Sequence, residues 1–195
     1  MVISVPVLDQ ALSSIENIYS EDTLIVYMSP KGEVLNQSLS ETLSEKYNHI
    51  VIICGHYEGI DERIFSLYKI HEISIGDYIL TGGELPALAL IDSVSRLITG
   101  VINNESKVNE TFLNNLLEEA QYTKPIEYKG LCVPDILLTG NHQKIEEYRY
   151  HERLYLTYKR RKDLYVKYIN QLKNTEKGKI EEIIAKREGK QNGSY

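Results

Sequence analysis

Ser74-Ile75-Gly76-Asp77-Tyr78-Ile79-Leu80-Thr81-Gly82-Gly83-Glu84 is the stretch on which the reading of this chain turns. Three glycines in eight residues are too many for an ordinary strand or helix. They let a backbone reach positive φ, or come close to another group. The apolar pair Ile79-Leu80 between them predicts a half-buried loop. Thr81 and Glu84 have capping-box spacing, so a helix is expected to start at Gly82-Gly83. A glycine-rich turn feeding a helix directs backbone N–H groups at whatever binds there. The alternative is a tight turn that only joins two elements.

Upstream, Leu24-Ile25-Val26-Tyr27-Met28 and Ile50-Val51-Ile52-Ile53-Cys54 are short apolar runs, read as buried strands. Ser29-Pro30-Lys31-Gly32 is expected to end the first. Ile70 to Ile75 makes a third strand that runs into the glycine loop. Helical periods fall between them. Val7, Leu8, Ala11, Leu12, Ile15 and Ile18 share one face before the first strand. A second capping box, Ser38 and Glu41, opens another helix, and Ile60 to Leu67 is a short third one. Strand and helix alternating in this way predict an α/β fold with a parallel sheet covered on both faces. Ligands of such sheets lie outside the carboxyl ends of the strands. The loops Tyr27–Gly32, Gly55–Gly59 and Gly76–Gly83 all stand there, so one shared pocket is expected.

Glu84 to Ile98 is apolar on most sides. It is either buried or packed against another subunit. Residues 102–111 have little apolar content and no period, and read as a linker. They divide residues 1–101 from a helical region, 112–195. In that region a helix is expected over Phe112–Glu119, a long one from Ile145, and a frayed charged tail from Glu176.

The 195 residues carry a net charge of −6. From Lys144 to Lys173, however, nine Lys/Arg stand against four Asp/Glu, which leaves −11 for the rest. That asymmetry, with Lys159-Arg160-Arg161-Lys162 at its centre, points to a polyanionic partner. Tyr148, Tyr150, Tyr155, Tyr158, Tyr165 and Tyr168 interleave with these cations. They either stack on bases or form the core of the helical region. Cys54 and Cys132 are far apart and suggest neither a disulfide nor a zinc site. No metal-ligand set is apparent. No run approaches the ~20 residues of a membrane span, and no signal peptide is visible, so a cytoplasmic protein is expected. No GxGxxG or Walker lysine motif follows a strand. The five histidines form no catalytic set with Ser and Asp.

Several motifs together resemble the bacterial tRNA (guanine-N1)-methyltransferases. They are Ile53-Cys54-Gly55-His56-Tyr57-Glu58-Gly59-Ile60-Asp61-Glu62-Arg63, the glycine stretch continued through Leu85-Pro86-Ala87, Ile91-Asp92-Ser93-Val94-Ser95-Arg96, Gln121-Tyr122-Thr123-Lys124-Pro125, Val133-Pro134 and Leu138-Thr139-Gly140-Asn141-His142. The resemblance implies a parallel sheet with a deep trefoil knot (the SPOUT type) and a small all-α C-terminal domain. Threaded chains are rare, and no periodicity would suggest one. It implies S-adenosylmethionine held by Met28, Ser29, Pro30, Gly55, Tyr57, Ile75, Gly76, Asp77, Tyr78, Ile79, Leu80, Gly82 and Gly83. The methyl group would go to N1 of the guanine 3′ to the anticodon, position 37. It implies dependence on Mg2+, a homodimer with a shared active site, and Lys159, Arg160 and Arg161 gripping the anticodon arm. Arg96 would stabilise charge at guanine O6 and Glu58 would organise the site. The family's base is a linker aspartate before Ser and Phe. The matching string here is Asn109-Glu110-Thr111-Phe112, which makes Glu110 the candidate base. Family members carry several dozen more residues at the N-terminus, so the chain reads as N-terminally shortened. A truncated or inactive relative that binds cofactor or tRNA without turnover is the competing expectation.

Overall fold

The computed structural model describes residues 1–16, 18–101 and 115–191. Its contacts fall into two compact units, Met1–Asn104 and Glu105–Tyr195.

In the first unit, β1 (Thr23–Val34), β2 (His49–Ile53) and β3 (Ile70–Ser74) form a parallel sheet in the order β2-β1-β3. Leu24 is paired with Ile50 and Val26 with Ile52. On the other side Val26 meets His71 and Met28 meets Ile73. Side chains alternate along β1 as the strand period requires. Leu24, Val26 and Met28 pack with α2 (Gln37–Lys46) and α4 (Glu84–Ser95) through Leu43, Ala87, Leu90 and Val94. Ile25 faces the opposite layer, where α1 (Val5–Ser13) and α3 (Ile64–Leu67) contribute Leu8, Leu12 and Ile64. The expected two-faced parallel sheet is therefore present. The chain leaves β1 over one face for β2, then crosses the other face to reach β3. The carboxyl end of β1 is thus a point where the winding reverses, the place such sheets keep for ligands.

Four local expectations need correction. Pro30-Lys31-Gly32 does not end β1. The strand bulges after Met28 and re-pairs, with Glu33 opposite Ile73 and Val34 opposite Ser74. Gly32 permits this because a Cβ there would fall on the Glu72 carbonyl carbon and the Ile73 nitrogen. The cap of α2 is Asn36, whose side chain accepts from the Leu39 amide at 3.0 Å, not Ser38. At α4 the cap is Gly83, and no side chain caps it. The Glu84 carboxylate is drawn instead to His56, so the Thr81–Glu84 spacing is not a capping box. Ile79-Leu80 is not half-buried either. Ile79 is 80% exposed, because the loop rides along a rim and turns this side chain outward.

The second unit holds a small hairpin, β4 (Glu127–Tyr128) with β5 (Leu131–Cys132), and a short 3₁₀ turn at Asp135–Leu138. Three helices follow: α5 (His142–Arg160), α6 (Lys162–Asn170) and α7 (Asn174–Gln191). The long helix expected from Ile145 breaks at Arg161, whose backbone (φ −138°, ψ 72°) is not helical. The helix expected over 112–119 is missing from its described part, since Leu116–Glu119 is irregular. Over its described part, to residue 191, the tail is not frayed: Ile180 and Ile184 pack into a core with Leu116, Leu154 and Tyr155. Tyr150, Tyr158, Tyr165 and Tyr168 close that core, with Tyr158 edge-on to Tyr165 and the hydroxyls of Tyr150 and Tyr168 at 2.9 Å. These tyrosines belong to the core and not to a stacking surface.

Candidate functional site

A cavity of about 280 Å³ opens at the carboxyl ends of β1, β2 and β3. Its wall is built from the three expected loops. Met28, Ser29 and Pro30 come from the bulge in β1, Gly55, Tyr57 and Glu58 follow β2, and Ile75, Gly76, Tyr78, Ile79, Leu80, Gly82 and Gly83 follow β3. Asp77 lies in the last loop but does not line the cavity. The wall also includes Tyr27, His56, Ser74, Thr81 and Pro86, which the sequence did not assign to a ligand. His56 and Thr81 stood inside the quoted motifs, so their position in those loops was the available signal.

The glycines work in different ways. Gly76 alone of the three in the loop has positive φ, at +146°, and Ser74 fixes the turn: its Oγ accepts from Gly76 N and donates to Gly76 O, both at 3.1 Å. Gly83 has ordinary φ but no room. A Cβ there would come within 2.8 Å of Cys54 Cα and Gly55 N. The Gly83 amide donates to Gly55 O at 2.9 Å, which ties the third loop to the second. Gly55 is small because the Tyr27 ring lies over it. The result is a wall in which glycine main chain, with its polar N–H and C=O groups, stands among side chains such as Tyr27, Ile75 and Leu80.

Two side chains bridge the loops at the rim. His56 Nε2 lies 2.8 Å from Glu84 Oε1, both about half exposed. His56 also forms an isolated backbone bridge with Gly82. Nearby, burial pushes the Cys54 thiol above its ordinary pKa, with the Glu84 charge second. Burial likewise raises Tyr27, ahead of the charges on Glu72 and Glu62. Both groups stay protonated near neutral pH and act as wall, not as acids or bases.

Arg96 ends α4 as its C-cap and is partly buried, but it does not line this cavity. Glu110 lies outside the described residues. Among the described residues no three His, Cys, Asp or Glu come together to hold a metal ion. No helix among them is long and apolar enough to cross a membrane.

The three cations expected at the RNA are not equivalent. Lys159 donates to Glu188 at 2.9 Å and sits 5.7 and 5.8 Å from the ring centres of Tyr155 and Tyr158. Arg161 forks onto Asp163 at 2.9 and 2.6 Å. That hydrogen bonding holds the Asp163 carboxyl down at about 2. Arg160 is exposed and makes no ion pair among the described residues.

A doubly covered parallel sheet with glycine loops around a cavity at a winding reversal places the chain among α/β proteins, whose ligands lie at that position. Sequence comparison sharpens this. A model of the tRNA (guanine-1)-methyltransferase family, TrmD, matches residues 1–167, and the chain belongs to that family. Among its relatives is a tRNA (guanine-N(1)-)-methyltransferase of Clostridioides difficile (strain 630), 56% identical over 73% of this chain and 62% of the relative. Proteins of the same name from Mycoplasma capricolum subsp. capricolum and Acholeplasma laidlawii are 47% and 49% identical, over 80% and 78% of this chain and 65% and 62% of their own lengths. The chain therefore spans less than two thirds of each of these relatives.

Proposed function

We propose that this protein transfers a methyl group from S-adenosylmethionine to N1 of guanine 37 in tRNA. The observation that carries the reading is the convergence of three glycine-bearing segments on one cavity in a chain of this family.

The residues present fit that donor. Gly55, Gly82 and Gly83 bring main chain to the cavity, since a Cβ at each would meet Tyr27, Glu84 or the Cys54–Gly55 backbone, and Ile75, Leu80 and Pro86 offer apolar contact beside them. Bound there, S-adenosylmethionine supplies a methyl group on a positive sulfonium. The chain's own work is on the guanine. N1 carries a proton, and its lone pair is committed to the ring amide. Glu110 takes that proton as general base. Charge then gathers on O6, where Arg96 stabilises it, and Glu58 at the cavity wall orients the pair. The guanine reaches the pocket from a single-stranded loop, where unstacking is inexpensive. For the Mg2+ that the resemblance implies, no three His, Cys, Asp or Glu come together among the described residues.

Arg96 stands away from the cavity of its own chain, which is understandable if the site is shared by two copies. The outer face of α4 supports that. Leu85, Leu88 and Ile91 are 64%, 60% and 49% exposed at helical spacing, too apolar a row for water alone. A homodimer would bury it. A trefoil knot is what the family resemblance implies for these loops. A cytoplasmic location follows from a tRNA substrate.

Calorimetry with S-adenosylmethionine and a methyl-transfer assay on unmodified tRNA transcript test the reading together. Saturable binding with turnover is expected. Binding without turnover would identify the competing case, a relative that holds its ligands only. Binding of neither ligand would end both.

A further inference from the structure

Glu84 does something that its place in the chain does not require. It stands in the first turn of α4, where a carboxylate ordinarily serves the free N–H groups of its own helix. No side chain caps that end. The carboxylate reaches the second loop instead, with Oε1 2.8 Å from His56 Nε2. The pair lies over Gly82. The nearest atoms that a Cβ on Gly82 would meet are Glu84 Oε2, His56 Cε1 at 3.2 Å and Glu84 Cδ at 3.3 Å, so the space beside that glycine belongs to this pair. The main chain follows the same line. His56 forms its isolated bridge with Gly82, and Gly83 N donates to Gly55 O at 2.9 Å.

One half of this joint faces the cavity. His56, Gly55, Gly82 and Gly83 line it, and Glu84 stands behind them. The His56 ring also lies 5.6 Å from that of Tyr57, another residue of the wall. The third loop has little else to hold it in shape. Ser74 anchors its start at Gly76, but Tyr78 and Ile79 are exposed beyond that point. Its far end is fixed where it meets the second loop, at Gly82–Glu84. An exposed ion pair adds little to the stability of a fold, and both partners here are about half exposed. Its worth lies in where it acts. A wall held in place before the ligand arrives spares the ligand the cost of ordering it.

We propose that Glu84 and His56 act together as a positioning latch for the methyl donor: their hydrogen bond pins the end of the third loop to the second, and so presents Gly55, Gly82 and Gly83 to the ligand as one preformed wall. This rests on the S-adenosylmethionine reading above, and gives Glu84, which does not touch the cavity, a part in binding through His56.

The test is a double-mutant cycle on the full chain, read by calorimetry with S-adenosylmethionine. His56→Ala and Glu84→Ala should each weaken binding about fivefold. The double variant should bind no worse than either single one, because each removes the same joint. Glu84→Gln keeps an oxygen that accepts from His56 Nε2–H, and should lose less affinity than Glu84→Ala. In the methyl-transfer assay the Ala variants should raise KM for the donor more than they lower kcat, the mark of lost binding and not of lost chemistry. Melting temperatures should hardly move. Unchanged affinity in both Ala variants overturns the proposal. So do additive losses, which would mean two separate contacts, and a Glu84→Gln as weak as Glu84→Ala, which would take the hydrogen bond out of the joint. A melting temperature that falls along with the affinity overturns it too, since the pair would then serve the fold at large. If the wild-type chain binds the donor and these signatures are missing, only this proposal falls. If the wild-type chain binds no donor, the S-adenosylmethionine reading falls with it.

Discussion

The cavity at the strand ends and the helical unit that follows it in sequence are built from different materials. The first owes its shape to backbone packed closely at its glycines. Its shape is fixed where Gly83 presses on Cys54–Gly55 and where Gly76 takes φ +146°. The second has its fit in side chains: Thr157 anchors Leu117 N at 2.9 Å, tyrosines close the core, and arginines pair with carboxylates. A backbone wall tolerates almost no substitution at its glycines and much variation elsewhere. A side-chain surface can lose one member and keep its shape. Each prediction below challenges that contrast.

The largest effect belongs to a residue of neither wall. Glu110→Gln should lower methyl transfer by about 10²–10⁴-fold, the usual contribution of a general base, with S-adenosylmethionine affinity unchanged by calorimetry. Full activity in this variant would remove Glu110 from the mechanism and leave the backbone wall untouched.

The next effect tests the wall directly. Gly83→Ala places a Cβ 2.8 Å from two backbone atoms that no rotamer change can move. Strain of about 1–3 kcal/mol is expected, and S-adenosylmethionine affinity should fall at least tenfold. Gly76→Val should also remove affinity, because its φ of +146° is closed to a branched side chain. A Cβ added at Gly178, on α7, would meet nothing within 4 Å, so Gly178→Ala should bind as wild type. Equal tolerance at Gly83 and Gly178 would break the contrast.

Leu88→Asp puts a charge on the outer row of α4. Sedimentation should show the wild-type dimer and a monomeric variant, and the variant should lose transfer while its fold persists. A wild-type monomer would leave that apolar row, and the separation of Arg96 from the cavity, without explanation.

These regions also differed in how far the sequence revealed them. Buried strands and glycine loops are local signals. Runs such as Ile50–Cys54 and the spacing of Gly76, Gly82 and Gly83 carry the sheet and its cavity on their face. What local reading missed was set by distant neighbours. Glu84 has capping-box spacing from Thr81, but His56, remote in sequence, takes its carboxylate. Gly32 reads as a strand end, yet its closeness to the β3 backbone lets β1 continue. In the helical unit the charge count was right and its meaning was incomplete. Lys159 and Arg161 look like free cations in a row of four, and Glu188 and Asp163 already hold them. Arg160→Ala should therefore weaken RNA binding more than Arg161→Ala, and lower the salt slope by about 0.7–0.9. Equal losses would mean that the pairs open when RNA arrives.

The smallest effect compares two matching forks, one in each unit. Asp61 accepts from Arg63 Nε and Nη2 at 3.0 and 2.7 Å, and Asp163 from Arg161 at 2.9 and 2.6 Å. Hydrogen bonding from the arginine lowers each carboxyl from 3.8 to about 2. A carboxyl lowered in the folded state stabilises it at pH values above the unfolded pKa. That contribution fades as pH falls from about 4 through 2. Both forks reach water, so screening keeps the gain small. Asp61→Asn and Asp163→Asn should each lower the melting temperature slightly at pH 6, and the differences should vanish near pH 2. RNA binding should separate them. Asp163→Asn removes a carboxylate charge beside Arg160 and Arg161 and should tighten the anticodon arm severalfold, with a steeper salt slope. Asp61→Asn frees Arg63 in the unit that carries the acidic surplus, and should leave RNA affinity unchanged. If both variants tighten RNA binding alike, the basic patch is not confined to the helical unit.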